Sequence, residues 1–446
     1  MTSKPGTEEK PVLSAAVIPL IEGKGTLRQS LREEETKGLV EALDSECAFV
    51  RTVHIRKPSP SQLFSSGILD SIKQDLEDNH CELFVVDGDL SPIQQRNLER
   101  ALSCKVIDRT GLILEIFGLR ARTKAGRLQV EVARLAYERS RLVRTWTHLE
   151  RQRGGRGFIA GPGETQIESD RRMLDGALIR LKKQLAEVDR TRKVQRADRQ
   201  SRDLPVIALV GYTNAGKSTL FNALASSDVF AKDMPFATLD PTIRAIDLDG
   251  NTRAALVDTV GFITDLPTAL IESFKGTLEE AVEADVILHV HDASSPDVRQ
   301  QAEDVMDILE SLENMVGMKL PPIIDVWNKV DRLPVHERLA LSETTADRAR
   351  VVVSALAGDG LENLKEQIKT VLYRNFQSFS ITFPTSDGEI RSWLYRNTNI
   401  SELNDDNEIG VSTALARLDE RTIGRLKQYF PNVQLVQMGS SPGRED

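Results

Sequence analysis

The chain contains 446 residues with a formal net charge of −9 at pH 7, and a chain of this length is expected to fold into two to four domains. Its three cysteines, Cys47, Cys81 and Cys104, and its six histidines show no metal-ligand spacing, which favours buried free thiols over a metal centre. No apolar stretch approaches the roughly 18–20 residues that span a bilayer, and the N-terminus lacks the core of a signal peptide. We therefore expect a cytoplasmic protein without a membrane anchor.

The first predicted domain covers residues 1–110. Apolar runs at 12–19, 47–55, 83–87 and 105–107 are typical of strands, and the segments 37–43, 62–76 and 92–102 have helical periodicity. This alternation predicts a small parallel sheet with helices. No glycine-rich loop follows any of these strands, so we assign no nucleotide to this domain.

The second predicted region, residues 111–200, is a basic helical hairpin. Apolar spacing of three and four predicts helix over most of 112–150, with a break near Gly126, and a second helix over 165–196. The loop at 152–163 joins them and is rich in glycine and arginine. Between residues 120 and 200 there are 21 Lys and Arg against 10 Asp and Glu. In an acidic chain this excess favours RNA contact; the alternatives are a solvated helical face and, for the loop, a long flexible connection.

A phosphate-binding loop marks the third predicted domain, residues 201–376. The run Gly-Tyr-Thr-Asn-Ala-Gly-Lys-Ser at 211–218 lies between a predicted strand and a predicted helix. Backbone N–H groups at such a helix N-terminus form an anion cradle, and Gly211 and Gly216 let the backbone approach the phosphates. Lys217 offers a positive charge to the β- and γ-phosphates, and Ser218 offers a hydroxyl to Mg²⁺.

Three further motifs follow predicted strands, and their order indicates a guanine nucleotide. Asp-Thr-Val-Gly at 258–261 supplies Asp258, which can hold the metal through water, and Gly261, whose N–H can sense the γ-phosphate. Asn-Lys-Val-Asp at 328–331 supplies Asn328 and Asp331. The carboxylate of Asp331 accepts the two donors on the guanine edge, which adenine lacks. Ser-Ala-Leu at 354–356 places the N–H of Ala355 for the guanine O6.

The fourth predicted domain, residues 377–446, is a small α+β unit. Strands are predicted at 380–383, 408–414 and 433–437, and helices at 388–396 and 419–430. We find no catalytic constellation in it. The predicted fold class is therefore α/β: a P-loop GTPase domain, preceded by a small parallel α/β domain and a helical hairpin, and followed by a small α+β domain.

Several of these runs resemble HflX-type ribosome-associated GTPases of the Obg–HflX-like superfamily. The similar segments are Gly-Tyr-Thr-Asn-Ala-Gly-Lys-Ser-Thr-Leu-Phe-Asn at 211–222, Phe-Ala-Thr-Leu-Asp-Pro-Thr at 236–242 and Asp-Thr-Val-Gly-Phe-Ile at 258–263. Val-Ile-Asp-Arg-Thr at 106–110 and Gly-Pro-Gly-Glu-Thr-Gln-Ile-Glu-Ser-Asp-Arg-Arg at 161–172 complete the set. The Gly-Pro-Gly-Glu-Thr-Gln run is the specific one, because other GTPases lack it.

The resemblance implies a GTPase that binds the 50S subunit and rRNA through residues 120–200 and splits or rescues stalled ribosomes under stress. It further implies that Thr238, in a switch I over 231–241, binds Mg²⁺ with Ser218; Thr242 is a second candidate. Lys217, Thr238 and Gly261 are the expected catalytic residues, and the protein is expected to be a monomer. The implied nucleotide-binding set is Gly211, Tyr212, Thr213, Asn214, Ala215, Gly216, Lys217, Ser218, Thr219, Phe236, Ala237, Thr238, Leu239, Asp240, Asp258, Thr259, Val260, Gly261, Asn328, Lys329, Val330, Asp331, Ser354, Ala355 and Leu356.

Two positions bear on the rate of hydrolysis. Many GTPases place a water-orienting Gln directly after Asp-x-x-Gly, but here the residue is Phe262, so slow free turnover is expected. Asn214 raises the alternative of a K⁺ held beside the phosphates, as in some relatives. Two other functions stay open: an ATP-dependent RNA-remodelling protein with regulatory GTP binding, and a GTP-dependent ribosome tether.

Overall fold

The computed structural model describes residues 11–22, 29–152, 162–201, 204–225, 236, 242–249, 252–263, 270, 275–343, 349–374, 376–406 and 408–438. These residues form three separate sheets, of four, six and four strands. The two sheets nearer the N-terminus are built from parallel neighbours with one exception, and the third sheet is antiparallel. The predicted α/β fold class is confirmed.

The first sheet is fully parallel, with the order β2-β1-β3-β4. Its strands are β1 (Leu13–Ile21), β2 (Glu46–Ile55), β3 (Leu83–Val86) and β4 (Lys105–Asp108), and its helices are α1 (Gln29–Glu41), α2 (Ser66–Asp78) and α3 (Pro92–Leu102). Side chains alternate between its two faces. One face buries an apolar cluster with α2 and α3, and the other packs against α1 and the helix that follows β4.

Two helix starts differ from the prediction in this domain. Helix α1 begins at Gln29, well before the predicted start at 37. Helix α2 begins at Ser66 rather than 62, because Ser59 and Leu63 pair in an antiparallel bridge just before it.

Three helices follow: α4 (Arg109–Arg120), α5 (Lys124–Gln152) and α6 (Pro162–Ser201). The predicted break near Gly126 is confirmed, because α4 ends at Arg120 and α5 begins at Lys124. The hydroxyl of Thr123 accepts the N–H of Gly126 at 3.0 Å, which caps the start of α5 and places Gly126 inside its first turn. Helices α5 and α6 contact each other, and Arg139 pairs with Asp175 at 2.6 Å. The predicted loop at 152–163 lies mostly outside the described residues.

The second sheet carries the predicted nucleotide motifs, with the order β10-β9-β8-β5-β7-β6. Every pair is parallel except β6 with β7. Its elements in chain order are β5 (Val206–Gly211), α7 (Lys217–Ala225), β6 (Thr242–Asp247), β7 (Arg253–Asp258), α8 (Lys275–Val282), β8 (Val286–Asp292), α9 (Val298–Val316), β9 (Ile323–Asn328), α10 (Val335–Glu343), β10 (Ala349–Val352) and α11 (Leu361–Leu372). Because neighbouring strands are parallel, the motifs at their carboxyl ends meet at one edge.

The third sheet is antiparallel, with the order β12-β13-β11-β14. Its elements are β11 (Gln377–Pro384), α12 (Gly388–Asn397), β12 (Asn399–Asp406), β13 (Val411–Leu418), α13 (Glu420–Tyr429) and β14 (Gln434–Gln437). Strand β12 is absent from the prediction, because it is a polar edge strand of sequence Asn-Ile-Ser-Glu-Leu-Asn-Asp-Asp. The strand predicted at 408–414 begins instead at Val411, after the turn that joins it to β12.

The N-terminal domain and the nucleotide domain share one continuous apolar core. Helix α4 supplies a row of buried residues, and segments next to the nucleotide motifs pack against it. Phe236 stacks edge-on against Phe117, with ring centroids 4.6 Å apart. Leu270 lines a cavity of about 180 Å³ with Leu114, Ala133 and Tyr137. Leu270, which follows the Asp-Thr-Val-Gly motif in the chain, therefore lies beside helices α4 and α5.

No helix in the described ranges is both long enough and apolar enough to cross a membrane.

Candidate functional site

The phosphate-binding loop is a tight turn between β5 and α7 that two glycines make possible. At Gly211 a Cβ would lie 2.3 Å from the carbonyl oxygen of Val290 on the neighbouring strand. Gly216 has a φ of +89°, and a Cβ there would lie 2.2 Å from Nδ2 of Asn328. Both distances are far below van der Waals contact, so any larger residue would push the loop away from the sheet.

Lys217 is buried at the centre of this loop. Its ammonium donates hydrogen bonds to the carbonyl oxygens of Gly211 and Tyr212, at 3.0 and 2.8 Å. Burial lowers the pKa of Lys217 from 10.5 to about 8; nearby Asp258 opposes this shift, and Lys329 adds to it. Phosphate oxygens would favour the charged form and restore the pKa, so this side chain is suited to an anionic ligand.

Ser218, a predicted Mg²⁺ ligand, lies beside Asp258, the residue predicted to hold the metal through water. Ser218 donates its hydroxyl to Oδ2 of Asp258 at 2.8 Å, and Asp258 is buried at the end of β7. A hydroxyl and a carboxylate oxygen at a phosphate site are the hard donors that Mg²⁺ prefers, so these residues fit the ion. Thr259 is turned away, because its hydroxyl donates to the carbonyl of Leu209 at 2.6 Å.

Gly261 lies directly against the phosphate-binding loop. A Cβ there would meet Thr213 Cγ2 at 3.0 Å and Lys217 Nζ at 3.1 Å. The following residue, Phe262, is 1% exposed and pairs with the loop through main-chain bonds to Gly211 and Thr213. Its ring lies in the apolar core, so it offers no polar group that could orient an attacking water.

The Asn-Lys-Val-Asp motif connects the phosphate-binding loop to the segment predicted to bind the guanine base. Asn328 donates from Nδ2 to the carbonyl of Ala215 at 3.0 Å and accepts the N–H of Ala355 at its Oδ1, at 2.9 Å. The side chain of Asn328 therefore holds the phosphate-binding loop and the Ser-Ala-Leu segment in register. Lys329 donates to the carbonyl oxygen of Asn214 at 2.5 Å, over the same loop.

Asp331, the residue predicted to recognise the base, is held through one of its carboxylate oxygens. Asp331 accepts the hydroxyl of Ser354 at 2.6 Å through Oδ1. The same Ser354 oxygen accepts the N–H of Ala357 at 3.1 Å, which orients the hydroxyl towards Asp331. Leu356 is 83% exposed and Val330 is buried, so they flank the site without offering it polar side chains.

All of the predicted switch I except Phe236 lies outside the described residues, including Ala237, Thr238, Leu239 and Asp240. Phe236 is described and buried against Phe117. Thr242, the second candidate for the switch threonine, opens β6 and stands opposite Asp258 in the antiparallel ladder. Tyr212, Thr213, Ala215, Thr219 and Val260 complete the predicted set in and beside the loop.

The structure adds two residues that the sequence did not suggest. Asp292 ends β8 and pairs with Lys329 at 2.9 Å; its position at the carboxyl end of a strand was the available signal. Glu35, on α1 of the first domain, accepts the hydroxyl of Tyr212 at 2.5 Å. No local pattern predicts a contact between positions so far apart.

Two histidines, expected to be strand residues without a metal role, lie close to an aspartate. Ligand atoms of His289, His291 and Asp325 fall within 4.8 Å of one another on β8 and β9. Asp325 makes a 3.1 Å hydrogen bond with His291, and this bond explains why the carboxylate lies beside the histidine on this face of the sheet.

The Val-Ile-Asp-Arg-Thr motif joins three parts of the chain. Asp108 caps α4 by accepting the N–H of Gly111 at 2.8 Å, and it also accepts Tyr137 at 2.6 Å and Arg141 at 2.9 Å from α5. Burial raises the pKa of the Tyr137 hydroxyl, and the nearby Asp108 carboxylate adds to the shift, so the tyrosine stays a donor. The next residue, Arg109, points into the first domain.

Family models cover most of the chain. They are described as GTP-binding GTPase N-terminal (residues 30–118), GTP-binding GTPase Middle Region (120–199), 50S ribosome-binding GTPase (206–329) and HflX C-terminal domain (340–437). The matched order follows the chain from the first domain to the last.

Full-length relatives agree. A protein of Magnetococcus marinus named GTPase HflX is 43% identical over 415 residues, covering 91% of this chain and 94% of the relative. The Escherichia coli GTPase HflX is 39% identical over 392 residues, covering 87% and 91%. The Caldanaerobacter subterraneus GTPase HflX is 37% identical over 405 residues, covering 91% and 90%. With a guanine-nucleotide site built as described above, the chain belongs to the HflX family of GTPases, enzymes that hydrolyse GTP.

Proposed function

We propose that this chain acts as a monomer in the cytoplasm, where its GTP cycle controls binding to the 50S ribosomal subunit and the splitting or rescue of stalled ribosomes under stress. The observation that supports this most strongly is the contact between Phe236 and Phe117. Phe236 lies in the predicted switch I, two residues before Thr238, and Phe117 lies on α4, next to the basic hairpin. A change of nucleotide state can therefore be transmitted to the hairpin through the packed rings of Phe236 and Phe117.

At the nucleotide site we assign Lys217 and the N–H of Gly261 to the phosphates, and Ser218 and Thr238 to Mg²⁺, with Asp258 holding the ion through water. Bound there, Mg²⁺ supplies charge neutralisation to the phosphate oxygens. Asp331 and Ala355 recognise guanine, and Asn328 keeps both ends of the site in register.

Slow turnover without a partner follows from Phe262. Its buried ring leaves the position after Gly261 without a group that orients water. We propose that the ribosome completes the site by ordering the switch segments or by supplying a group. A supplied group accelerates related reactions by about 10³–10⁵.

The hairpin is the proposed contact to rRNA. Arg171 and Arg172 lie about 14 Å along α6 from its first residue at 1.5 Å per residue, close to the glycine-rich connection, and both are exposed. Arginine suits phosphate and base contacts because its planar fork binds two acceptors at once. This supports binding of the ribosome by the end of the hairpin that carries the loop.

The first experiment measures GTP hydrolysis by the purified chain alone, with 50S subunits and with 70S ribosomes, using ATP as the control nucleotide. Strong stimulation that is selective for GTP supports the proposal. Equal turnover with and without ribosomes contradicts it, and comparable ATP turnover favours the RNA-remodelling alternative. The tether alternative predicts that Lys217→Ala blocks turnover but leaves ribosome splitting intact.

Charge-reversal variants test the hairpin. We expect Arg171→Glu combined with Arg172→Glu to lose ribosomal stimulation while basal hydrolysis persists. The matched control is Arg299→Glu with Lys319→Glu, which changes the charge by the same amount at exposed positions of the nucleotide domain. If both pairs reduce stimulation equally, the effect is one of net charge and the hairpin is not the contact.

A K⁺ beside the phosphates is a separate proposal that rests on Asn214. This residue has a φ of +60° and is exposed at the rim of the loop, where its amide oxygen lies 3.5 Å from Lys329 Nζ. If Asn214 helps to hold K⁺, hydrolysis is faster in K⁺ than in Na⁺, and Asn214→Ala removes the difference. Equal rates of the wild-type protein in the two salts would sink the idea.

A further inference from the structure

The side chain of Tyr212 leaves the phosphate-binding loop and reaches into the first domain. Its hydroxyl donates to Oε2 of Glu35 at 2.5 Å, across 177 positions of sequence. Tyr212 is 6% exposed, so the bond lies between two domains and away from water. A hydrogen bond from a neutral donor to a carboxylate in such a place is strong and sensitive to displacement.

Glu35 is itself fixed by a chain of buried charges. Its other oxygen, Oε1, accepts Nη2 of Arg109. Arg109 also donates from Nη1 to Oδ1 of Asp87 at 2.6 Å, and Arg32 donates from Nε to Oδ2 of Asp87 at 2.8 Å. The side chains of Arg109 and Asp87 are 6% and 2% exposed.

The charged side chains of this buried network stabilise one another. Burial disfavours the ionised form of Asp87, but the attraction of Arg109 and Arg32 outweighs burial and lowers the pKa of the carboxyl. For Arg109, burial acts against the charged form, and Asp87 and Glu35 raise the pKa above its ordinary value. The Glu35 side chain is therefore held in place by the first domain. The position of Oε2, the oxygen that accepts the Tyr212 hydroxyl, is set by that domain.

The backbone of Tyr212 connects Glu35 to Lys217 and Gly261, the residues assigned to the phosphates. Its carbonyl oxygen accepts Lys217 Nζ at 2.8 Å. On either side of Tyr212, Gly211 and Thr213 exchange main-chain bonds of 3.1 and 2.7 Å with Phe262, the residue that follows Gly261. A shift of Tyr212 thus moves both the lysine and the glycine that face the phosphates.

We propose that Glu35 and Arg109 are positioning residues for GTP hydrolysis, which hold the phosphate-binding loop in its working geometry through the hydroxyl of Tyr212. Neither residue touches the nucleotide in this assignment. The inference rests on the proposed phosphate roles of Lys217 and Gly261, and it adds the first domain as a determinant of the rate. Because coupling between two sites is reciprocal, a partner that displaces the first domain also changes the loop.

Burial alone does not account for the arrangement. A phenylalanine at position 212 would fill the same space without a hydroxyl, and buried ion pairs often contribute little net stability compared with apolar packing. Compared with apolar packing, these polar contacts add a defined direction and distance, because a hydrogen bond to a fixed carboxylate weakens when the donor moves or turns away.

The test is a double-mutant cycle on basal hydrolysis of the full chain, without ribosomes. Tyr212→Phe removes one oxygen and leaves the Glu35–Arg109 pair intact; Glu35→Gln removes the charge at the other end. We expect each to lower kcat by about 5-fold to 50-fold with a smaller change in KM, because the loop still binds GTP but presents Lys217 poorly. The double variant is expected to be no slower than the slower single variant.

Glu41→Gln is the matched control. It makes the same change on the same helix, at a half-exposed side chain that pairs only loosely with Lys37 at 3.8 Å. We expect wild-type kcat for this variant. Thermal unfolding of each variant excludes a folding defect; should Glu35→Gln fail to fold, Tyr212→Phe still decides the matter through its kcat and KM.

Two outcomes overturn the inference: wild-type kcat for Tyr212→Phe, or single effects that simply multiply in the double variant. A wild-type protein that does not hydrolyse GTP would instead contradict the assignment of the site. Hydrolysis with unaffected variants contradicts only the role of Glu35 and Arg109, so the two failures are distinguishable.

Discussion

Phe117 of the first domain meets Phe236 edge-on, with an angle of 86° between ring planes and both side chains buried. Phe236 has a φ of +55°, in the left-handed region that non-glycine residues seldom adopt. A strained backbone combined with a buried ring indicates that the aromatic contact fixes the middle of the predicted switch I against α4. This contact is the structural basis of the proposed link between nucleotide state and the packing of α4.

Replacing Phe117 by leucine is expected to lower the free energy of unfolding by about 1–2 kcal/mol, because the edge-on contact and part of the buried area are lost. Urea denaturation measures the change. Leu119→Ala, on the same helix but 56% exposed, should stay within about 0.5 kcal/mol of wild type. Similar losses for the two variants would show that the aromatic contact is not important for stability.

Gly216→Ala should abolish tight nucleotide binding. The new methyl group would lie 2.2 Å from Nδ2 of Asn328, and the φ of +89° is unfavourable for alanine. Moving Asn328 also breaks its bond to Ala355, so we expect GDP affinity to fall by more than about 10-fold, or 1.4 kcal/mol. Calorimetric titration measures it. Gly424→Ala is the control, since a Cβ at that helical position meets nothing within 4 Å.

Asp331→Asn tests the recognition of guanine. The carboxylate accepts both base donors, whereas an amide presents one acceptor and one donor. Losing a hydrogen bond to a charged group costs about 1.5–3 kcal/mol, so we expect GTP affinity to fall by about 10-fold to 150-fold. Xanthosine triphosphate, which carries an acceptor where guanine carries its amino group, should bind the variant better than the wild type. Unchanged preference for GTP would show that Asp331 does not face the base.

The cysteines should react slowly with alkylating reagents. Burial raises the pKa of Cys47 and of Cys104 to about 11, with smaller contributions from Glu41 at Cys47 and from Cys81 at Cys104. Since the thiolate is the nucleophile, about 10⁻³ of each thiol is reactive at pH 8. We expect alkylation at pH 8 to be more than about 100-fold slower in the native protein than in urea. Comparable rates in the two conditions would mean that these thiols are not shielded.

The sequence motifs located the nucleotide site because each is local: a strand, a turn and the start of the next element. Gly211, Lys217, Asp258 and Asn328 meet because parallel strands bring their carboxyl ends to one edge. Periodicity also predicted the first sheet, in which β1, β3 and β4 are largely buried apolar runs.

Other features carry no such local signal. Strand β12 pairs with β13 and packs two of its own apolar side chains, Ile400 and Leu403, against the core; its other residues are polar, so its sequence gave no strand pattern. The exact first residue of α5 depends on the hydroxyl of Thr123, which caps the helix by accepting the N–H of Gly126. In the sequence, Gly126 is the stronger signal for a break and hides the cap. The bond between Tyr212 and Glu35 depends on how two domains are packed, and neither residue differs locally from an ordinary one.

Asp108 and Arg109 are joined by one peptide bond, yet they serve opposite neighbours: Asp108 holds α5, and Arg109 holds the carboxylate that meets the phosphate-binding loop. Helix α5 continues about 22 Å beyond Tyr137 at 1.5 Å per residue, so a tilt of about 5° at that tyrosine moves its far end by about 2 Å. In mechanical terms the hairpin is a long lever, and its fulcrum is the contact of Asp108 with Tyr137 and Arg141 of α5. If the ribosome contacts the far end of the hairpin as proposed, a force applied there would reach the nucleotide site as a small displacement, and a small displacement at the nucleotide site would move that far end by a larger distance.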